Sequence, residues 1–487
     1  MSSKQRFANR GGKRSLMARA SRGADYNSII EGSILKSLVL YAIPICLSTL
    51  FQQFYATVDL IIIGNFAGAD ALASVGATGA ITNLMIGFFM GLSTGAGVVI
   101  SQHFGAGDIP GMRKSVHTAV ALGLVGGAGL TVLGFALSRP LLTLMGTPED
   151  IMDGAVVYMR IIFIGCTGNI LYNIGAGILR AVGDSRRPFI YLVIGTCANI
   201  VLDLTFVALF KWGIAGVAIA TIASQLITAV LAGFNLLTTE QLHRVVVKEI
   251  RFHGEKLRQI VRIGIPAGLQ SVVISLSNAV IQANINVFGS AAVAGTAAAW
   301  RVDGFEMVPL QSFGLAMMTF SGQNLGAGKP ERVRRATLIG CLISGLSTLA
   351  IGGLVLLFGH YIMRIFTSDE QVIEYGLMMV NMVSVSYWIF AVSEIFSGVM
   401  RGAGYTMYPM IASVAGMCGV RVVWMYTALP LNRTMFMLYL CYPVSWVCVC
   451  LLMFGGYISG RWYKKYRGAR VQTEKAEQAK QGEDDGD

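Results

Sequence analysis

Apolar residues along this chain fall into long blocks separated by short clusters of charge, glycine and proline. About twenty such residues in a helix cross the ~30 Å hydrocarbon core of a bilayer. Cutting the chain at charges and turn signals predicts twelve such spans. They lie near 37–63, 72–101, 115–137, 152–179, 189–210, 214–238, 259–288, 291–322, 336–358, 373–400, 409–429 and 434–459. The first block, from Leu35 to Phe66, holds one proline, Pro44, and one carboxylate, Asp59. An acid at the centre of a membrane span costs roughly 2.5–3.5 kcal/mol, so such a residue is a functional candidate. Pro44 lies about 22 Å along the helix from it and supplies a bend point.

The blocks repeat. GILRAVGDSRRP at 177–188 matches GVMRGAGYTMYP at 398–409, and QHFGAGD at 102–108 matches QNLGAGK at 323–329, both at an offset of 221; Pro44 pairs with Pro266 at 222. Each copy holds six spans. An even number makes the copies parallel, related by an axis along the membrane normal, as in transporters whose substrate path runs between the halves. The expected fold is therefore all-α and integral to the membrane, with twelve transmembrane helices in two six-helix lobes. The boundaries read from the pattern are a basic tail 1–34, an N-terminal lobe 35–239, a linker 240–258, a C-terminal lobe 259–460 and a tail 461–487. The linker is charged and partly amphipathic, which predicts a surface helix. The tail beyond Val471 has almost no apolar residues and is expected to be disordered.

Composition agrees with this picture. The 487 residues are 54% hydrophobic and 13% charged, with mean hydropathy +0.62; soluble domains carry nearer 25% charge. The net charge of +12 sits in the tails, the linker and the loops on one face, and the opposite loops offer only Arg139, Lys211, Arg364 and Arg433. That bias places both termini in the cytoplasm and implies no nucleic-acid partner. No apolar core of a cleavable signal peptide precedes the first span. The eight cysteines all lie in apolar spans without metal-ligand spacing and read as small packing residues. The five histidines show no metal spacing either. GQNLGAGKP lacks the first glycine and the Ser/Thr of a phosphate-binding loop. Gly87, Gly91 and Gly95 make a flat helix face for close packing. The Met378, Met379 and Met382 patch reads as core, or as an adaptable cavity wall.

Candidate chemistry concentrates in the first half. Asn199 and Asp203 share a helix face at i, i+4, and Thr221 follows in the sixth span with Gln225 one turn on. With Asp59 they give two carboxylates, an amide and a hydroxyl, with no base deep in these spans. Two acids held close in low dielectric do not both stay ionised without a counter-charge, so the group takes a proton or ligates Na+. The plain alternative is hydrogen bonding between helices. The second half carries amides in its seventh span (Gln270, Asn278, Gln282) and ionisable residues elsewhere: Arg301, Asp303, Glu306, Glu394 and Arg421. Two arginines against three acids form a nearly self-neutralising network, with a substrate-facing or second coupling site as the alternative.

The combination of VDLIIIGNFAGADALASVG, the paired GAG turns, GILRAVGD and NIVLDLTFV resembles the multidrug and toxic compound extrusion (MATE) family over about residues 35 to 460. The resemblance implies two lobes forming a V around a central cavity, and efflux of small organic, often cationic compounds by antiport with H+ or Na+. It also places the family's N-lobe cation site on Asp59, Asn199, Asp203 and Thr221 and its bending proline on Pro44. Some members carry an acid in the seventh helix; here that helix has only amides, which favours the N-lobe route. The expected protein is not an enzyme, needs no cofactor beyond the coupling ion, and is a monomer in the cell membrane. Export of a lipid-linked or other endogenous metabolite is the rival expectation.

Overall fold

The computed structural model describes residues 29–464 and residue 466. The basic tail up to residue 28, and nearly all of the C-terminal tail, lie outside the described residues. Twelve helices follow in order: α1 Ile34–Ile62, α2 Ala69–Gly105, α3 Ile109–Leu144, α4 Glu149–Ala181, α5 Arg186–Asp203, α6 Gly213–Thr238, α7 Gly254–Asn286, α8 Ser290–Gly326, α9 Pro330–Phe366, α10 Glu370–Gly402, α11 Met407–Thr427 and α12 Met435–Ile458. All the predicted spans are present, and most helices run several residues past the apolar block at either end. Eleven are long and apolar enough to cross a membrane. The twelfth, α8, is interrupted by Arg301, Asp303 and Glu306.

The duplication is written in the backbone. Gly68 and Gly289 hold φ near +91° and +93°, Gly107 and Gly328 +66° and +70°, and Gly183 and Gly404 +97° and +80°. Each pair is 221 residues apart, and each ends or precedes a helix with a conformation that glycine adopts without a Cβ penalty. Pro44 and Pro266 lie inside the equivalent helices α1 and α7. Each half packs around a central helix: α4 touches α2, α3 and α6, and α10 touches α8, α9 and α12.

The halves meet through α2 against α7, α1 against α8, and α2 against α8. At the first contact a Cβ on Gly91 would fall on the backbone of Gly268, and one on Gly95 would meet Ile260 and Gly264. The glycine face of α2 is therefore a close crossing between lobes. Near the linker end of the bundle, Gln102 Nε2 donates to the Gly402 carbonyl at 2.8 Å and Gln323 Nε2 donates to the Ala181 carbonyl at 2.8 Å. These bonds are repeat equivalents and form a two-fold clasp across the lobes.

One expectation fails. The linker is not a surface helix: residues 239–253 contain only a 3-10 turn, Val247–Glu249, and α7 begins at Gly254. The run Val245–Val247 is β-branched and disfavours helix, and the segment gains more by docking. Val245 N–H donates to the Leu236 carbonyl at 2.8 Å, Val246 N–H to His117 Nε2 at 3.0 Å, and His243 is buried.

Candidate functional site

Asp59 lies on α1 one turn before the helix loosens into a π-helical segment, Ile63–Ala67. Asp203 is the last residue of α5 before a second π segment, Leu204–Leu209. The two π segments pack against each other. Such turns widen the helix locally and recur at functional sites. A small apolar cluster that includes Ile63, Tyr158, Val207 and Val217 holds this part of the N-lobe together.

The structure brings the four N-lobe residues together. The Asp59 and Asp203 carboxyl groups are within side-chain interaction range of each other, and Asn199 lies beside Asp203 without a hydrogen bond between them. Asn199 and Asp203 are each 1% exposed. Both oxygens of Asp203, Oδ1 of Asp59 and both amide atoms of Asn199 are buried without a protein hydrogen-bond partner. Thr221 donates to the Val217 carbonyl at 3.0 Å, which leaves its oxygen lone pairs free to accept. Tyr55 stands beside Asp59 and Thr221, and Tyr158 faces both acids. Sequence reasoning missed these two tyrosines. The i−4 placement of Tyr55 relative to Asp59 was a usable signal, whereas Tyr158 carried none. Buried oxygens with no donor need a proton or a cation. No arginine or lysine is in ion-pair range of either acid among the described residues. Pro44 is buried on α1, with its carbonyl accepting from Ser48 Oγ at 2.7 Å.

The C-lobe residues separate. Glu394 pairs with Arg401 at 2.8 Å, a residue that sequence reasoning did not include among the C-lobe candidates. Asp303 Oδ1 accepts from the Tyr387 hydroxyl, and Glu306 Oε1 accepts from Ser384 at 2.7 Å. Arg421 is held by Ser445 and Asn278. Arg301 is exposed and outside this group. The expected five-residue network is thus several separate groups, with Arg301 in none of them. Asp303, Glu394, Arg401 and Arg421 line a cavity of about 630 Å³, with α2 and α7 forming part of its wall through Met90 and Gln270.

The family model MatE matches this chain twice, at residues 44–205 and 266–427, two stretches displaced by 222 residues. The probable multidrug resistance protein YpnP of Bacillus subtilis is 31% identical over 384 residues, covering 79% of this chain and 86% of that protein. A second B. subtilis protein, the probable multidrug resistance protein YoeA, is 28% identical over 89% of this chain and 95% of its own length. Among solved structures, a MOP superfamily transporter from Pyrococcus furiosus superposes with a TM-score of 0.82 at 24% identity, over 89% of this chain and 96% of that one. The twin match, the relatives and the twelve-helix architecture agree: the chain belongs to the MATE family of multidrug efflux transporters and is a multi-pass membrane transporter, not an enzyme.

Proposed function

We propose that the protein exports small organic compounds by antiport with H+ or Na+, the ion entering at Asp59, Asp203, Asn199 and Thr221. The observation that carries this reading is the set of buried, unpartnered oxygens on Asp59, Asp203 and Asn199. An ion there neutralises the acid pair, and its release restores the repulsion. The lobe arrangement that holds the acids apart or together then shifts with occupancy, as differential affinity for two states requires. The π segments next to each acid and Pro44 on α1 are the points at which the helices yield. The basic loops and linker gather at one end of the bundle, which supports reading that end and both termini as cytoplasmic in the cell membrane.

The test is efflux of a fluorescent organic compound from liposomes containing the purified protein, with a pH gradient or a Na+ gradient imposed separately. One gradient drives efflux in the wild type and fails to do so in Asp59→Asn. Gradient-driven efflux by that variant at the wild-type rate overturns the coupling assignment.

A further inference from the structure

The cavity between the lobes contains one cation with no ion-pair partner among the described residues. Arg421 is 2% exposed and lines the cavity. The π segment Val414–Gly419 on α11 immediately precedes it. Its Nε donates to Ser445 Oγ at 3.1 Å and its Nη1 to Asn278 Oδ1 at 3.2 Å. Both partners are neutral. The guanidinium lies 4.6 Å over the Tyr442 ring. No carboxylate is in ion-pair range of it among the described residues, and Nη2 has no hydrogen bond to any of them.

The other cavity charges are engaged. Arg401 is paired with Glu394 at 2.8 Å. Asp303, which feels the charge of Arg421, forms no ion pair with it and accepts from the Tyr387 hydroxyl. Glu306 lies off this cavity and accepts from Ser384. A buried guanidinium without an acid is costly, and its planar fork is matched in shape by a carboxylate, phosphonate or sulfonate. A second donor stands unanswered nearby: Trp446, 3% exposed, also lines the cavity, and its indole N–H is buried without an acceptor. The Trp446 ring stacks on Tyr387 at 4.7 Å and on Phe390 at 5.4 Å with only 9° between planes. Trp300 joins them in the lining. The wall thus combines flat aromatic faces with donors lacking acceptors on Arg421, Trp446 and Arg401, whose Nε is also unpartnered.

We infer that this cavity selects planar aromatic compounds bearing an acidic group, with the acid anchored at Arg421 and the ring system laid against the Trp446 stack. The inference rests on the export reading and narrows its substrate class. Organic cations lacking an acid find no partner at Arg421 and are repelled by it.

The test uses the full-length protein in lipid nanodiscs, with no ion gradient, and three ligands sharing one ring system: pyrene-1-carboxylate, its methyl ester and pyrene-1-methylammonium. Dissociation constants come from quenching of tryptophan fluorescence. The expected order is carboxylate tightest, by about tenfold or more over the other two. Arg421→Met brings the carboxylate to within about twofold of the ester, and Arg421→Lys keeps a reduced preference because it retains the charge but not the fork. The wild-type comparison alone requires no variant to fold. Equal or tighter binding of the ester or the ammonium overturns the inference and leaves the export reading standing, as does a tenfold preference surviving in Arg421→Met. Binding of none of the three overturns both this inference and the role of the cavity as the substrate site.

Discussion

The two lobes share a scaffold and differ in how they treat charge. In the N-lobe, Asp59 and Asp203 face each other with no base nearby and several oxygens unpartnered. In the C-lobe, at the 221 offset that relates Gly183 to Gly404, Asn199 corresponds to Val420 and Asp203 to Trp424, and at the 222 offset of Pro44 and Pro266 Asp59 corresponds to Ile281. The acid pair and its amide have become apolar or aromatic, and a cation, Arg421, stands one residue beyond the amide's counterpart. Meanwhile Glu394 and Arg401 pair with each other, whereas their counterparts at the 221 offset, Asn173 and Arg180, include no acid. Turns, helix lengths and the two-fold clasp are kept in both copies because they build the bundle. Buried charge is not required for the bundle and has diverged. One lobe is left with unpartnered carboxylate oxygens and the other with a guanidinium that has only neutral partners.

The largest expected effect of breaking this asymmetry is on coupling. Asp203→Asn removes one of the two charges that need an ion, and gradient-driven efflux in liposomes falls to the background leak while binding in the central cavity persists. A change beside the equivalent C-lobe position, Met425→Asn, touches no charge and leaves coupled efflux within about twofold of wild type.

A second asymmetry lies in the docked linker. His243 is buried against the N-lobe, and burial, aided by Arg187, lowers its pKa from 6.5 to about 4. The folded state therefore prefers the neutral ring. Stability from this preference is full above pH 6.5 and declines as pH falls towards 4, by about 3 kcal/mol in all. Thermal unfolding of the detergent-solubilised protein between pH 7 and pH 4 measures it, and His243→Phe flattens that slope.

In the C-lobe, Glu394→Gln strands Arg401 in the cavity wall and lowers stability by about 2–3 kcal/mol, since half of a buried pair is worse than none. The double variant with Arg401→Gln recovers much of the loss. Thermal melts of the three proteins form the cycle that checks this.

The smallest effect concerns what the lobes share. Gln102→Leu and Gln323→Leu each remove one bond of the clasp, at about 1 kcal/mol apiece. The repeat predicts closely similar shifts in melting temperature for the two variants, and unequal shifts would show that the clasp is not two-fold in energy.

Much of this was legible in sequence, for identifiable reasons. Membrane helices must satisfy their backbone internally, so each apolar block maps onto one helix, and the glycines at 68, 107 and 183 with their repeats mark the ends. Asp59, Asn199, Asp203 and Thr221 were visible because polar residues are scarce in such spans. The linker was misread because amphipathic charge was weighed above three consecutive valines. Arg401 was not legible as a site residue because it lies near a helix end, where an arginine is as readily a loop charge as a cavity charge; only the turn geometry of α10 carries its guanidinium back to Glu394 seven residues earlier.

By itself, the sequence determined the helix count, the duplication, the family and the scarce polar positions, because hydropathy and glycine act locally along the chain. Tertiary structure alone decided which charges are answered. Whether Asp203 meets a base, Arg421 meets an acid, or Gly91 meets a glycine depends on residues brought together from helices far apart in sequence. In a low-dielectric interior, those few ångströms between partners separate a structural pair from a binding site.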